Sequence, residues 1–235
     1  MVRVGGLPAR SPDRQVGPDE PLAVADGGPR FVSRGGEKLD AALERFRPPV
    51  AGARILDAGA STGGFTDCLL QWGAAEVVAV DVGHGQLHWR LRTEPRVRVH
   101  ERTNIRSLSP DVIGGPVDGV VADLSFISLR TVAAPLAACA RPDAWFVLLV
   151  KPQFEAGRER VGRGGVVRDP TTRRAVLDAV AEAFDAVGVT VLDALASPLP
   201  GPAGNREVFL HARKAAPGPA DLAARLDRAV REGGP

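Results

Sequence analysis

The chain has 235 residues, enough for one α/β domain with a sizeable core and short appendages, but too few for two large domains. Apolar residues make up 44% of the chain and charged residues 25%, as in soluble globular proteins. No run approaches the roughly 20 apolar residues of a membrane span, and the N-terminus lacks the pattern of a signal peptide. We therefore expect a cytoplasmic protein. The net charge of +2 excludes a polycation, so contact with nucleic acid requires locally clustered basic residues.

Residues 1–30 are rich in proline, glycine and aspartate, with one short apolar patch at 22–24. Such a segment predicts a leader without a core of its own. From residue 31 the pattern changes to that of an amphipathic helix, with Lys38 near its start. The apolar stripe of this predicted helix is formed by Leu39, Ala42, Leu43 and Phe46.

Seven short apolar runs alternate with helical patterns over the next part of the chain. Most of the runs are nearly continuous, as in parallel strands that helices cover on both faces, so we expect an α/β fold with a doubly wound, Rossmann-like sheet. The linker between the last two runs looks too short for a crossover helix, which predicts an antiparallel final strand. The predicted strands are 54–57, 77–82, 97–101, 117–123, 145–150, 189–195 and 208–211.

Helical patterns separate these strands. One stripe is formed by Phe65, Cys68, Leu69 and Trp72, and another by Val176, Val180, Ala183, Phe184 and Val187. The second should begin at an N-cap, Asp169, which proline follows. The only cysteines, Cys68 and Cys139, lie in apolar helical patterns and are expected to be buried thiols rather than disulfide partners or metal ligands. The domain is expected over 31–214, and the tail 215–235 predicts a short surface helix or a frayed end.

The first predicted strand runs through a turn of small residues into a helix, with the sequence ILDAGASTGGF. In an open α/β sheet this turn meets a ligand, because glycines allow close approach and the helix N-terminus offers free N–H groups. The next strand ends at Asp81, whose carboxylate can accept both hydroxyls of a ribose, so the two features together predict a bound nucleoside. The residues assigned to this site are Asp57, Gly59, Ala60, Ser61, Thr62, Gly63, Gly64, Phe65, Asp81 and Val82.

The same turn has competing interpretations. It lacks the G-x-G-x-x-G and G-K-[ST] patterns, which disfavours a dehydrogenase or an NTPase. An α/β-hydrolase with Ser61 as nucleophile is a sharper alternative, because residues 59–63 match G-x-S-x-G and His211 could complete a Ser-Asp-His order. We rank it second, since the nucleophile strand of such enzymes usually follows several earlier strands and no oxyanion glycine cluster precedes this one.

Charged residues end two further predicted strands, at Asp123 and Lys151. In a doubly wound sheet these ends face the ligand cleft, and Glu207 and Lys38 can reach the same rim. Only three of the 30 basic residues are lysine, and two of them belong to this set. Lysine, unlike arginine, can lose its proton when desolvated. Each residue alone could form an ordinary strand-end ion pair, but the four together favour an active site.

Eight motifs follow one another along the chain: FVSRGGEKL, LDAGASTGGFTDCLL, DVGHGQL, ERTNIR, ADLSFISL, LVKPQFEAGRE, VGRGGVVRDP and GPAGNREVFL. In these motifs the chain resembles the TlyA-type family of rRNA 2′-O-methyltransferases, sometimes labelled hemolysin A, over residues 31–213. The resemblance implies the class I methyltransferase fold, with a seven-stranded sheet whose last strand is antiparallel. It also implies the Lys-Asp-Lys-Glu tetrad of FtsJ-like enzymes at Lys38, Asp123, Lys151 and Glu207.

The resemblance further implies S-adenosylmethionine at the glycine turn, with Asp81 near its ribose, Asn104 near its adenine and Asp123 at the same site, and no metal. The substrates of the family are cytidine riboses in ribosomal RNA. A ribose hydroxyl is a weak nucleophile, so it must be aligned with the methyl group and deprotonated. We expect Lys151 to do both, helped by desolvation and by the charge of Lys38.

Arginines near the predicted site suggest where RNA would bind. Flexible backbone with arginine suits phosphate contact, although a solvated loop is the alternative. The assigned residues are Arg34, Arg158, Arg160, Arg163 and Arg168. Residues 1–24 resemble only the last part of the alpha-L RNA-binding domain that usually begins family members. Two alternatives remain. A membrane-lytic protein is not supported, since the sequence offers no spanning helix and no strongly cationic amphipathic helix. A non-catalytic RNA-binding module is disfavoured, since the four residues of the tetrad are all present.

Overall fold

Two sheets organise the chain in this computed structural model, which describes residues 2–9, 11, 14–24, 28–162 and 164–234. The strands are β1 Val2–Val4, β2 Leu7–Pro8, β3 Leu22–Val24, β4 Arg54–Ala58, β5 Glu76–Val80, β6 Val97–His100, β7 Val117–Ala122, β8 Ala140–Val150, β9 Val189–Ala196 and β10 Val208–Lys214. The helices are α1 Arg34–Phe46, α2 Gly64–Gln71, α3 Trp89–Arg92, α4 Pro110–Ile113, α5 Leu129–Cys139, α6 Pro152–Glu155, α7 Pro170–Asp185 and α8 Leu222–Glu232. Two short 3₁₀ helices span Ile105–Ser107 and Arg158–Arg160.

The large sheet has seven strands in the order β6-β5-β4-β7-β8-β10-β9. Strands β4 to β8 pair in parallel, and β10 is antiparallel to both of its neighbours. The strand order reverses at β4, which is where a doubly wound sheet opens a ligand cleft. The predicted α/β fold and its antiparallel last strand are therefore confirmed.

Both faces of the large sheet are buried, which explains the continuous apolar runs. Leu56 and Val120 face one layer, formed by α5, α7 and α8. Ile55 and Val121 face the other, formed by α1 and α2. The sheet is thus the middle of three layers, and only its ends are free to form a site.

Several predicted boundaries were wrong. Strand β8 begins at Ala140 rather than at residue 145, because residues 141–143 are exposed and carry no apolar signal. Strand β5 ends at Val80, so Asp81 and Val82 lie in the following loop. Of the two alternatives for the tail, the structure has the helix: α8 forms there and buries Leu226, Ala229 and Val230 against the domain.

The N-terminal segment forms a small sheet with the order β2-β1-β3. Val4 is buried, whereas Val2, Leu7 and Leu22 are exposed. Such short strands with mostly exposed side chains bury little apolar surface, in line with a leader that lacks a core of its own. In the part of the chain that the structure describes, no helix is both long and apolar enough to cross a membrane.

Candidate active site

The carboxyl ends of β4, β7 and β8 meet at one edge of the large sheet, beside a cleft of about 490 Å³. All four residues of the predicted tetrad line this cleft, although they lie up to 169 positions apart in the chain. The complete lining comprises Ser33, Arg34, Gly35, Lys38, Gly59, Ala60, Ser61, Thr62, Gly64, Phe65, Asp123, Ser125, Lys151, Pro202 and Glu207.

Two ion pairs between lysine and carboxylate lie in the cleft. Lys38 Nζ is 2.6 Å from Glu207 Oε2, and Lys151 Nζ is 2.6 Å from Asp123 Oδ1. The Lys38 and Glu207 side chains are only 8% and 1% exposed, so removal of either one would leave a buried, unpaired charge. Lys151 also donates to Ser125 Oγ at 3.0 Å. Among the described residues Glu207 Oε1 has no hydrogen-bond donor, so this buried oxygen can accept one from a ligand.

Lys38 reaches the cleft because the start of α1 packs closely against the start of α2. A side chain on Gly36 would lie 2.3 Å from the Phe31 ring, and one on Gly64 would lie 2.8 Å from the Gly36 backbone nitrogen. Only glycine allows this approach at both positions. Gly36 therefore sets how closely the start of α1, which carries the first lysine of the tetrad, approaches the start of α2.

The glycine turn lies directly against the end of β7. Gly59 has a φ of 88°, and a side chain there would come within 2.7 Å of the Asp123 backbone oxygen. The Asp123 amide donates to Ala58 O at 3.0 Å. Asp81 holds the other side of the turn, since its carboxylate accepts from the amides of Ser61 and Gly83 at 2.8 and 2.7 Å. These contacts fix the turn relative to both carboxylates.

A second cavity of about 520 Å³ adjoins the first and shares Gly59, Ser61, Asp123 and Ser125 with it. Asp81, Val82 and Asn104 line it, together with the apolar side chains of Leu124 and Ile127. An acidic rim beside apolar walls is the environment that a nucleoside requires. The two cavities thus lie side by side at the glycine turn.

Asp57 lies beneath the turn and lines neither cavity. It is fully buried, Thr66 donates to its Oδ2 at 2.6 Å, and its Oδ1 has no partner among the described residues. Burial, and then the negative charges of Asp123 and Asp81, raise the pKa of Asp57 to about 7, against the lowering effect of the Thr66 hydrogen bond. Gly63 is likewise covered rather than open, since a side chain there would meet Leu91 at 2.2 Å.

The predicted RNA-contacting arginines fall into two groups. Arg34 lines the cleft. Arg158, Arg160 and Arg168 are exposed on the loop after α6 and do not line it, and Arg163 lies outside the described residues. This loop is fastened to the segment before Glu207 by a residue that the sequence did not suggest. The buried Asn205 accepts from the Val167 amide at 3.0 Å and donates to Gly165 O at 2.7 Å.

Two more residues near Lys151 were missed by sequence reasoning. Phe126 is 90% exposed with a φ of 63°, and its ring centroid is 5.1 Å from that of Phe154. Glu155 is buried and accepts from the Leu129 amide at 2.6 Å and from Ser128 Oγ, so it ties α6 to the start of α5. Burial raises the pKa of Glu155. Both residues stand in the motifs quoted above, but only the fold shows their contacts.

The hydrolase alternative was wrong. Ser61 Oγ lies 3.4 Å from Gln86 Oε1, and within the described ranges no histidine bonds to it. His211 stacks on Phe46 at 5.1 Å and lines a cavity that contains none of the residues of the glycine turn. Without a base beside it, Ser61 cannot act as the nucleophile of a triad.

A sequence model of the FtsJ-like methyltransferases matches residues 31–214. The chain belongs to the FtsJ-like methyltransferase family. It is 57% identical to the 16S/23S rRNA (cytidine-2′-O)-methyltransferase TlyA of Mycobacterium tuberculosis strain H37Rv, over 90% of this chain and 80% of that protein. The cleft described above therefore belongs to a methyltransferase, and the buried Cys68 and Cys139 have no part in it.

Solved structures agree with this family. A Streptococcus thermophilus protein assigned as a hemolysin superposes with a TM-score of 0.83 and 40% identity, over 91% of this chain and 78% of that one. A Burkholderia thailandensis N1-methyltransferase of 1,6-didemethyltoxoflavin, solved with S-adenosylhomocysteine, matches with a TM-score of 0.54 and 25% identity, over 77% and 79% of the two chains. This chain thus shares its fold with a methyltransferase that was solved with S-adenosylhomocysteine bound.

Proposed function

We propose that this methyltransferase transfers a methyl group from S-adenosylmethionine to the ribose 2′-hydroxyl of a cytidine in ribosomal RNA. The observation that carries the proposal is the cleft in which two lysines and two carboxylates adjoin a nucleoside-sized cavity. The printed activity of the Mycobacterium tuberculosis relative supports the choice of cytidine and of ribosomal RNA.

The residues present fit this donor. The cavity beside Asp81 suits the nucleoside half, because the carboxylate can accept from ribose hydroxyls while Leu124 and Ile127 face the base. The start of α2 carries amides without a side-chain cap, which suit a carboxylate of the methionine half. Asp123 lines both cavities, so its negative charge would lie near the positive sulfonium.

The tetrad would bind the acceptor hydroxyl and manage its proton. The bound donor supplies an electrophilic methyl group, so the protein must hold the ribose oxygen in line with it. Lys151 Nζ is placed to contact that oxygen and to accept its proton as the methyl group is transferred, and the Asp123 carboxylate at 2.6 Å orients the Lys151 nitrogen and stabilises the ammonium that forms. Lys38 and Glu207 would contribute one donor and one free acceptor to the same ribose.

Phe126 and Phe154 would hold the target base. The exposed Phe126 ring lines the second cavity and packs on Phe154, whose ring centroid is 6.0 Å from Lys151 Nζ, so it borders the space where a nucleotide must enter with its base unstacked from its neighbours. Stacking on an aromatic face compensates for the stacking that the base loses in the RNA. Arg34 at the cleft and the exposed arginines of the loop after α6 would contact the adjacent phosphates.

The test is incubation with labelled S-adenosylmethionine and purified ribosomal subunits, followed by digestion of the RNA to nucleosides. We expect 2′-O-methylcytidine as the labelled product. Lys151→Ala and Lys151→Arg should both bind the donor with unchanged affinity but lose methyl transfer by roughly 100-fold or more, since arginine cannot give up its proton. Lys214→Arg is the matched control, because Lys214 lies outside the cleft and donates to the carbonyls of Ala137 and Ala140, so a loss of stability there should leave methyl transfer unchanged.

A fully active Lys151→Arg enzyme would remove the general base from the mechanism. Label on a base rather than on a ribose would refute the choice of acceptor. Donor binding without labelled RNA from either subunit would refute ribosomal RNA as the substrate.

A further inference from the structure

One of the three tryptophans is exposed. Trp89 is 69% exposed on α3, whereas Trp145 is buried and Trp72 donates its indole N–H to Asp40 at 2.8 Å. The Trp89 and His88 rings stack with an interplanar angle of 29° and with centroids 5.9 Å apart. An exposed indole forgoes the burial that tryptophan usually gains, and its flat face is suited to stacking on another ring.

The segment that carries Trp89 is held firmly against the rim of the active-site cleft. Leu87 and Leu91 are buried over Gly63, where an added side chain would meet them at 2.8 and 2.2 Å. The His88 amide donates to Thr62 O at 3.2 Å, and Thr62 lines the cleft. The backbone that carries the ring therefore has a fixed position next to the glycine turn, so little backbone entropy is lost when a partner stacks on the indole.

A free positive charge adjoins this ring. Arg90 is exposed, and its guanidinium makes no ion pair or hydrogen bond within the described ranges. The neighbouring Arg92, by contrast, donates to Glu101 and to Leu87 O. A guanidinium that has no carboxylate partner in the protein can bind a phosphate without first breaking an ion pair.

We infer that His88, Trp89 and Arg90 form a second contact for the RNA, which we call the α3 platform. Trp89 stacks on an unpaired base near the target nucleotide, and Arg90 binds the phosphate of the same stretch. A single-stranded segment fits better than a duplex, because stacking on the indole requires a base with a free face. This inference rests on the proposed function, since it assumes that the polyanion at the cleft is RNA.

The platform is tested by binding and by intrinsic fluorescence. The probes are purified ribosomal subunits and a short single-stranded RNA, with the duplex of that RNA and its complement for comparison. Trp89→Leu should weaken binding of the subunits and of the single strand roughly 5- to 150-fold, whereas Trp89→Phe keeps an aromatic face and most of the affinity. The single strand should quench the tryptophan fluorescence of the unaltered protein more than the duplex does, and Trp89→Phe should remove this quenching.

Arg90→Ala should weaken binding across sequences and reduce the slope of log affinity against log salt by about 1. Its matched control is Arg231→Ala, on the exposed side of α8 at the other end of the sheet. Both tryptophan variants should keep the donor affinity of the unaltered protein, which also shows that they are folded.

Unchanged RNA affinity of Trp89→Leu, with methylation intact, would overturn the platform and leave the proposed function standing. Weaker donor binding with unchanged RNA affinity would also overturn it, since Trp89 would then serve the donor site. If the unaltered protein methylates neither subunit, the proposed function fails, and quenching by single-stranded RNA still decides whether the platform exists.

Discussion

Substitution of Asp57 by asparagine should change how the stability of the protein depends on pH. Asp57 is fully buried, and its pKa is raised from 3.8 to about 7 by burial and by the charges of Asp123 and Asp81. The folded chain therefore holds a proton on Asp57 at mildly acidic pH, where the unfolded chain has already lost it. Asparagine has nearly the same shape, can still accept from Thr66 Oγ1, and cannot ionise.

The raised pKa of Asp57 determines the direction in which the free energy of unfolding changes with pH. The stabilising contribution of the Asp57 proton is complete below pH 4 and is lost as the pH rises through 7, because above that value folding must bury a charged carboxylate. Each unit of pKa difference corresponds to about 1.4 kcal/mol, so between pH 5 and pH 8 this group removes about 2.5 kcal/mol from the free energy of unfolding. Asp57→Asn should escape this loss.

The measurement is urea unfolding of both proteins at pH 5, 6, 7 and 8, with the free energy of unfolding extrapolated to water. The difference between variant and unaltered protein should shift by about 2.5 kcal/mol in favour of the variant from pH 5 to pH 8. All other titrating groups are common to both proteins, so they largely cancel. Asp111→Asn, at an exposed site, is the matched control. A constant difference for Asp57→Asn would refute the claim that its carboxyl is neutral in the folded protein.

Two further substitutions test how the site is held in place. Gly59→Ala should lower the free energy of unfolding by about 2–4 kcal/mol and weaken donor binding, because the added carbon meets Asp123 O at 2.7 Å at a positive φ. Gly52→Ala is the control: its φ is also positive, but no atom lies within 4 Å of the added carbon, so the free energy of unfolding should fall by clearly less in the same assay. Asn205→Ala removes both hydrogen bonds to the loop after α6, so trypsin should cut the chain at Arg158 or Arg160 faster. The KM for RNA should rise, while donor affinity stays unchanged. Equal cleavage rates for the variant and the unaltered protein would show that Asn205 does not fasten the loop.

The sequence was informative where one local signal determines the structure. Short apolar runs identified all seven strands of the large sheet, and most of these runs are continuous because strands covered on both faces have no polar alternation. Charged residues directly after such runs identified Asp123 and Lys151, because the carboxyl ends of parallel strands share one edge. The contacts of Asn205 and Glu155 had no such signal. Asn205 binds backbone atoms 38 and 40 positions away, and such contacts depend on loop paths that no periodic pattern records.

The three lysines show how far composition alone can identify a site. In a chain that otherwise uses arginine, all three invited attention, and two of them lie in the cleft. Lys214 does not, since its ammonium donates to Ala137 O and Ala140 O at 2.8 and 2.9 Å and so satisfies carbonyls at the end of α5. A compact point charge suits those two converging carbonyls better than a planar guanidinium does. A lysine in this arginine-rich chain thus marks a position with a specific role. Whether that role is catalytic or structural depends on whether the lysine lies at the carboxyl ends of the strands.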